Sequence, residues 1–242
     1  MKIVRNILLV ILAIFIVVAI TVYVMGDNLY QEALGDSTIE EIIDDIRSDP
    51  NYVEYEDLPQ NYINAVIAVE DHRFRDHGAI DLIAIGRAIY VNVTNFELRE
   101  GGSTITQQVA KNIFYITEDD HVVARKSAEI LTAFDLEDKY SKDEIVELYA
   151  NTIYFGDGYY GIEEACQGYL DKSATEMNLA DCTMMAGIPN APSVYAPTVN
   201  PDLTRSRQEK VISDMVEYGY LAQADADDLV DSLDTYYENF SF

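Results

Sequence analysis

A mainly helical domain held behind a single transmembrane helix is the fold class that the sequence predicts, and three observations carry it. Residues 7–25, ILLVILAIFIVVAITVYVM, are 19 almost wholly apolar positions, enough at 1.5 Å per residue to cross a bilayer core of about 30 Å. Beyond them, apolar residues recur mostly three and four positions apart, the spacing of one helix face, as in Ile80, Ile83, Ala84, Ala88 and Val91. Helix-start signals precede several such stretches: Ser37-Thr38-Ile39-Glu40-Glu41, Thr104 with Gln107, and Ser141 with Glu144, each with a hydroxyl followed three residues later by Glu or Gln.

Taken in order, Lys2 and Arg5 precede the apolar run and no basic residue follows it until Arg47. The positive-inside rule therefore predicts a cytoplasmic tail at 1–6, an anchor at 7–25, and everything after Gly26 outside. A cleaved signal peptide is the competing reading, but its apolar core is usually ~7–15 residues and ends at a small-x-small site that is not clear here. Residues 26–51 read as an acidic stalk or short helix without chemistry, and 52–242 as the domain, entered between Pro50 and Pro59. An apolar run, Ala65 to Val69, ends at Glu70-Asp71. The stripe through Ile80, Ile83, Ala84, Arg87, Ala88 and Val91 is expected to face the core. Helices are predicted after Thr104, from near Asp120, and after Ser141 with Ile145, Leu148 and Tyr149 buried. Residues 151–161, NTIYFGDGYYG, read as a loop, Leu179 to Met185 as a buried helix stopped by Pro189, and Leu203 to Tyr218 as the last helix, stopped by Gly219.

The chemistry concentrates in two places. Gly101 and Gly102 let backbone approach a ligand, and Ser103, Thr104, Gln107, Gln108, Lys111 and Asn112 follow within ten residues. So many donors point to a polyhydroxylated, anionic ligand. On the next helix His121, Arg125 and Glu129 fall one turn apart, with Lys126 beside them. Each face alone reads better as a solvated surface with ordinary ion pairs, and only together with the upstream segment do the two point to a site. Upstream, Glu70 sits at the edge of an apolar element, where desolvation raises a carboxyl pKa and suits a general base; a helix-terminal Glu exposed to water is the plainer reading.

Composition narrows the field. The formal net charge is −27, and −29 without Lys2 and Arg5, so a nucleic-acid backbone would be repelled. The cations gather instead at Arg73, Arg75, Arg87, Arg99, Lys111, Arg125 and Lys126, which predicts a cationic cleft in an acidic shell. Cys166 and Cys182 are expected as buried free thiols. His72 and His77 lack a third partner at zinc-site spacing.

EDHRFRDH at 70–77, GGSTITQQVAKN at 101–112, RKSAE at 125–129, KDEIVELYANTIYFG at 142–156 and RQEKVI at 207–212 resemble, in order and spacing, the five motifs of glycosyltransferase family 51. This is the peptidoglycan glycosyltransferase domain of penicillin-binding proteins and of monofunctional transglycosylases. The resemblance runs from about Leu58 to about Leu221. It implies a lysozyme-like transglycosylase fold with a small membrane-proximal lobe, in which some of Ile83, Ile89, Phe96 and Leu98 touch lipid. It also implies polymerisation of lipid II into β-1,4 glycan strands, with inverting displacement of undecaprenyl pyrophosphate. Carried over by motif position, Glu70 is the base and Glu129 the second acidic residue. Glu129 would hold the donor pyrophosphate through a divalent cation, Mg or Mn, or through neighbouring cations; no organic cofactor is implied. Lys111, Arg125 and Lys126 match cationic donor-side residues. Ser103, Thr104, Gln107, Gln108 and Asn112 lie in the motif that lines the sugar and phosphate path, while Asn151 and Arg207 brace the fold. The sequence departs from the pattern at His121, where an arginine is usual, at Ala79, where glycine is usual, and at Arg207-Gln208, usually an arginine pair.

The implied setting is a bacterial cytoplasmic membrane, single-pass, where the domain meets lipid II, a lipid-linked glycan strand and cell-wall proteins such as transpeptidases. With about 20 residues after the resemblance ends near Leu221, the expectation is a monofunctional polymerase that binds no penicillin. A non-catalytic lipid II-binding scaffold is one alternative, with His121 in its favour. A lysozyme-like hydrolase is another, against which the cationic helix argues, because hydrolysis has no pyrophosphate to neutralise.

Overall fold

The computed structural model describes residues 2–95, 101–116 and 122–238. Helix α1 (Lys2–Leu34) runs unbroken through the apolar segment and onward into the domain, where it lies along a later helix, α6 (Val122–Lys139). None of its apolar part is buried, and by length and composition it can cross a membrane. Contact with α6 requires Gly26, since a Cβ there would overlap Ser127 Oγ. One turn on, the buried Tyr30 hydroxyl donates to Asp135.

The expected stalk is thus part of the folded body. Helix α2 (Ile39–Arg47) begins with the Thr38–Glu41 capping box and buries Ile39 and Ile43 in the main core. The chain after it is tied to α7 (Lys142–Thr152) through Glu147, which accepts from Tyr52 Oη (2.5 Å) and the Tyr55 N–H (2.9 Å). The surrounding acid obscured an ordinary i, i+4 apolar pair.

Helix α3 (Gln60–Glu70) is buried along most of its length and packs on α9 (Leu179–Gly187) and α11 (Pro201–Glu217). Helix α5 (Ile105–Phe114) packs on α6 and α7. The glycine- and tyrosine-rich stretch completes α7 and folds into a short hairpin, β1 (Tyr154–Gly156) and β2 (Tyr159–Tyr160), whose turn needs the positive φ of Asp157 and Gly158. Helices α8 (Ile162–Leu170) and α10 (Pro192–Tyr195) connect these layers. Cys166 and Cys182 are buried and free, and burial pushes both thiols up, Cys182 to about 12.

Two expectations are corrected. Helix α4 (Leu82–Asn95) does not bury the whole stripe assigned to the core: Ala88 is buried, but Ile83 is exposed, and with Leu82, Ile89, Tyr90 and Val93 it leaves an apolar surface open. Phe96 and Leu98 lie outside the described residues. Helix α11 stops at Gly219 (φ +80°) as expected, but it is not the last. A further helix, α12 (Gln223–Glu238), buries Ala226, Leu229 and Leu233, an i, i+3, i+7 set hidden among five aspartates.

Candidate functional site

Glu70 is the final residue of α3, and Asp71 closes that helix through its N–H to Ile67 O (3.1 Å). The Asp71 carboxylate then joins two elements: Oδ2 accepts from the Ile105 N–H at the start of α5 (3.2 Å), and Oδ1 meets His77 Nε2 (2.8 Å). The end of α3 is thereby fixed against the helix that carries Gln107, Gln108 and Lys111. The Glu70 side chain is only 10% exposed. Burial raises its pKa first; the Gln108 amide (2.9 Å) and Arg207 (3.5 Å) oppose the shift, and the neighbouring Asp71 adds to it. A carboxylate whose pKa is raised is a stronger base for a substrate proton.

Across the groove, Glu129 on α6 is 3% exposed and flanked by cations. Lys126 Nζ donates to its Oε2 (2.8 Å), to Ser103 Oγ (3.0 Å) and to Gln107 Oε1 (3.1 Å), and Arg125 Nε lies 3.5 Å from its Oε1. Lys111 is exposed and has no ion-pair partner among the described residues. Glu70, Ser103, Gln107, Gln108, Lys111, Asn112, Arg125, Lys126 and Glu129 all line one groove of about 770 Å³. In a chain of net charge −27, this groove carries three cations against two carboxylates. The buried Asn112 Nδ2 has no hydrogen-bond partner among the described residues, which leaves a donor at the groove wall.

Not every expected residue serves the groove directly. Thr104 is 1% exposed: its hydroxyl accepts the Gln107 N–H (3.2 Å) as the α5 cap and donates to Ala79 O (2.9 Å). Both functions are internal, so Thr104 builds the site rather than lining it. Gln108 spends an amide hydrogen on Glu70. Arg73 and Arg75 turn away to pair with Asp81 and Asp143 (both 2.9 Å). His121 and Arg99 lie outside the described residues. Sequence reasoning missed the far wall, Tyr154, Pro189, Asn190 and Pro192, and the approach of Arg207 to Glu70. The PNAPSVYAP turn was read only as a helix stop; its paired prolines were the available signal.

As a divalent-metal site the residues fit poorly. Glu129 is a single carboxylate with a cation at each oxygen. Asp71, His77 and Asp81 also come together, but their facing atoms are committed to Ile105, Gly78, Arg73, Ile83 and Ala84 or to one another. The positive charge available to a leaving group is that of Lys111, Arg125 and Lys126.

A nearly buried acid and three cations thus share one groove, in a helical domain behind an apolar helix. The profile of the transglycosylase family matches residues 36–216, and the chain belongs to that family. It is 41% identical over 181 residues to the putative transglycosylase H16_A0665 of Cupriavidus necator, covering 75% of this chain and 77% of that protein. It is 40% identical over 174 residues to penicillin-binding protein 1F of Bacillus subtilis, covering 72% of this chain and 24% of that one. Penicillin-binding protein 1A of Neisseria flavescens is also 40% identical, over 78% of this chain and 23% of its own length. The chain thus spans about a quarter of the penicillin-binding proteins it matches. Among solved structures, penicillin-binding protein 1A of Haemophilus influenzae aligns with TM-score 0.44 and 22% identity over 74% of this chain and 17% of that one.

Proposed function

We propose that the chain is a peptidoglycan glycosyltransferase that polymerises lipid II. The observation that carries this reading is the placement of the nearly buried Glu70 and the Lys111, Arg125 and Lys126 cations on one groove. The 4-hydroxyl of an incoming lipid II gives its proton to Glu70 as its oxygen bonds to the donor's anomeric carbon. The bond from that carbon to undecaprenyl pyrophosphate breaks, and the departing negative charge is met by the cations. An α-linked donor becomes a β-1,4 link, so one displacement suffices. Lys126, held by Glu129, Ser103 and Gln107, is prepositioned; Lys111 is free to follow the phosphate. No step is routed through a divalent ion.

The surroundings support a lipid-linked substrate. The apolar helix α1 would anchor the domain, with Lys2 and Arg5 inside and the groove outside. The open apolar face of α4 offers a second membrane contact. Gel separation of products from labelled lipid II is the test: wild type yields ladders, while Glu70→Gln and Glu129→Gln do not. Binding of lipid II without polymerisation across pH would favour a scaffold. Release of muropeptides from finished strands would favour a hydrolase.

A further inference from the structure

Arg207 was expected only to brace the fold, but its surroundings have been shaped to deliver its charge to one place. Its Nη2 lies 3.5 Å from Glu70 Oε1, with side chains 14% and 10% exposed. Its Nε donates to Gly187 O (3.3 Å), and its guanidinium stands over the Tyr195 ring, 5.9 Å from the centroid. Gly187 admits this path: a Cβ there would come within 3.0 Å of Arg207 Cγ. Three elements, α9, α10 and α11, therefore converge to hold one guanidinium behind the last residue of α3.

The contact at Glu70 is unusual in form. Gln108 occupies Oε2 (2.9 Å), whereas Oε1 is buried with no hydrogen bond. At 3.5 Å the guanidinium is too far for a hydrogen bond and close enough to act by charge in a poorly screened place. The other groups facing Glu70 are Asp71, whose charge opposes ionisation, and the buried hydroxyls of Tyr62 on α3 and Tyr149 on α7, which burial keeps neutral. Lys111, Arg125, Lys126 and Glu129 belong to the same groove. Arg207 is the one full positive charge paired with Glu70 among the described residues.

We propose that Arg207 is a positioning residue that keeps the general base Glu70 ionised at neutral pH. The inference rests on the reading of Glu70 as base. Without Arg207, only the Gln108 amide opposes burial and Asp71, and more of the enzyme enters each encounter with the base already protonated.

The test uses the full chain in lipid vesicles, as wild type, Arg207→Gln, Arg207→Met and Arg207→Lys. Two readouts are taken: the pH profile of kcat/KM on lipid II, and the ¹³C NMR titration of the Glu70 carboxyl, assigned by its loss in Glu70→Gln. In the Gln and Met variants the acid limb and the NMR midpoint should rise together by about one pH unit or more, the usual effect of an opposite charge at this range. Activity below neutral pH should then fall about tenfold and recover in alkali. The Lys variant should stay near wild type. A folded Gln or Met variant whose midpoint does not move, even with activity reduced equally at every pH, would overturn the proposal. If wild type fails to polymerise lipid II while the midpoint still moves, the charge coupling stands and the reading of the function is what fails.

Discussion

As the proposed base, Glu70 would serve reactivity at the expense of stability. Its folded pKa is raised, so the ionised form is disfavoured in the native state relative to the unfolded chain. The destabilisation sets in as pH rises through the unfolded value and is complete above the folded one. Glu70→Gln should therefore melt no lower than wild type at neutral pH by calorimetry, while losing on the order of 10²-fold or more in polymerisation, the range of a missing general base. A purely structural Glu70 would give the opposite pair of results. His121, at a usual arginine position, gives a second prediction at this scale. A histidine of ordinary pKa is largely neutral at pH 7, so His121→Arg should equal or exceed wild type in the same assay. Thr104 shows the limit of motif reading: a hydroxyl in the right tripeptide was consumed by the cap that the sequence also announced.

Elements are held by small polar commitments at their ends. The α7 capping box has Glu144 accepting from the Ser141 N–H and hydroxyl (both 2.9 Å), and the backbone bond is the main reason its pKa is lowered. A lowered carboxyl stabilises above its unfolded pKa and is lost as pH falls through the folded one. Ser141→Ala should cost about 1 kcal/mol at neutral pH in urea melts, and less in acid. Gln208, where the family pattern has arginine, is fully buried. It donates to Ala180 O (2.8 Å) and Thr183 Oγ1 (3.0 Å) and accepts from Tyr237 Oη (2.7 Å). A neutral amide suits a closed site where a guanidinium would need a carboxylate. Tyr237→Phe should cost about 1 kcal/mol in the same melts. Tyr237 comes from α12, beyond the matched residues 36–216, so this departure is legible only beside a helix the periodicity reading passed over.

For the whole molecule, the junction of anchor and domain is the decisive feature. Helix α1 continues onto α6, the helix that carries Arg125, Lys126 and Glu129, so the cationic wall is set relative to the apolar helix by helix packing rather than by a tether. Gly26→Leu should force the two helices apart, lowering stability by about 1–3 kcal/mol and raising KM for lipid II in vesicles more than it lowers kcat. The apolar run, the helical class, and Glu129 with its neighbouring cations were legible because each rests on spacing within a few residues. The stalk, the α4 stripe and α12 were misread because burial there depends on which distant surface arrives, and a charge-rich segment looks alike whether solvated or docked.

By itself, the sequence determined the helices, their caps, the membrane-length segment and the residue types of the site, since all of these follow from local stereochemistry and periodicity. Only tertiary structure decided that Glu70 faces the Lys126–Glu129 cluster, that Thr104 turns inward, and that Arg207 reaches Glu70 across 137 positions of chain. Such contacts arise from the packing of α3 between α9 and α11. Packing of that kind is settled by shape and by the cost of leaving buried charge unpaired, neither of which is written in any single stretch.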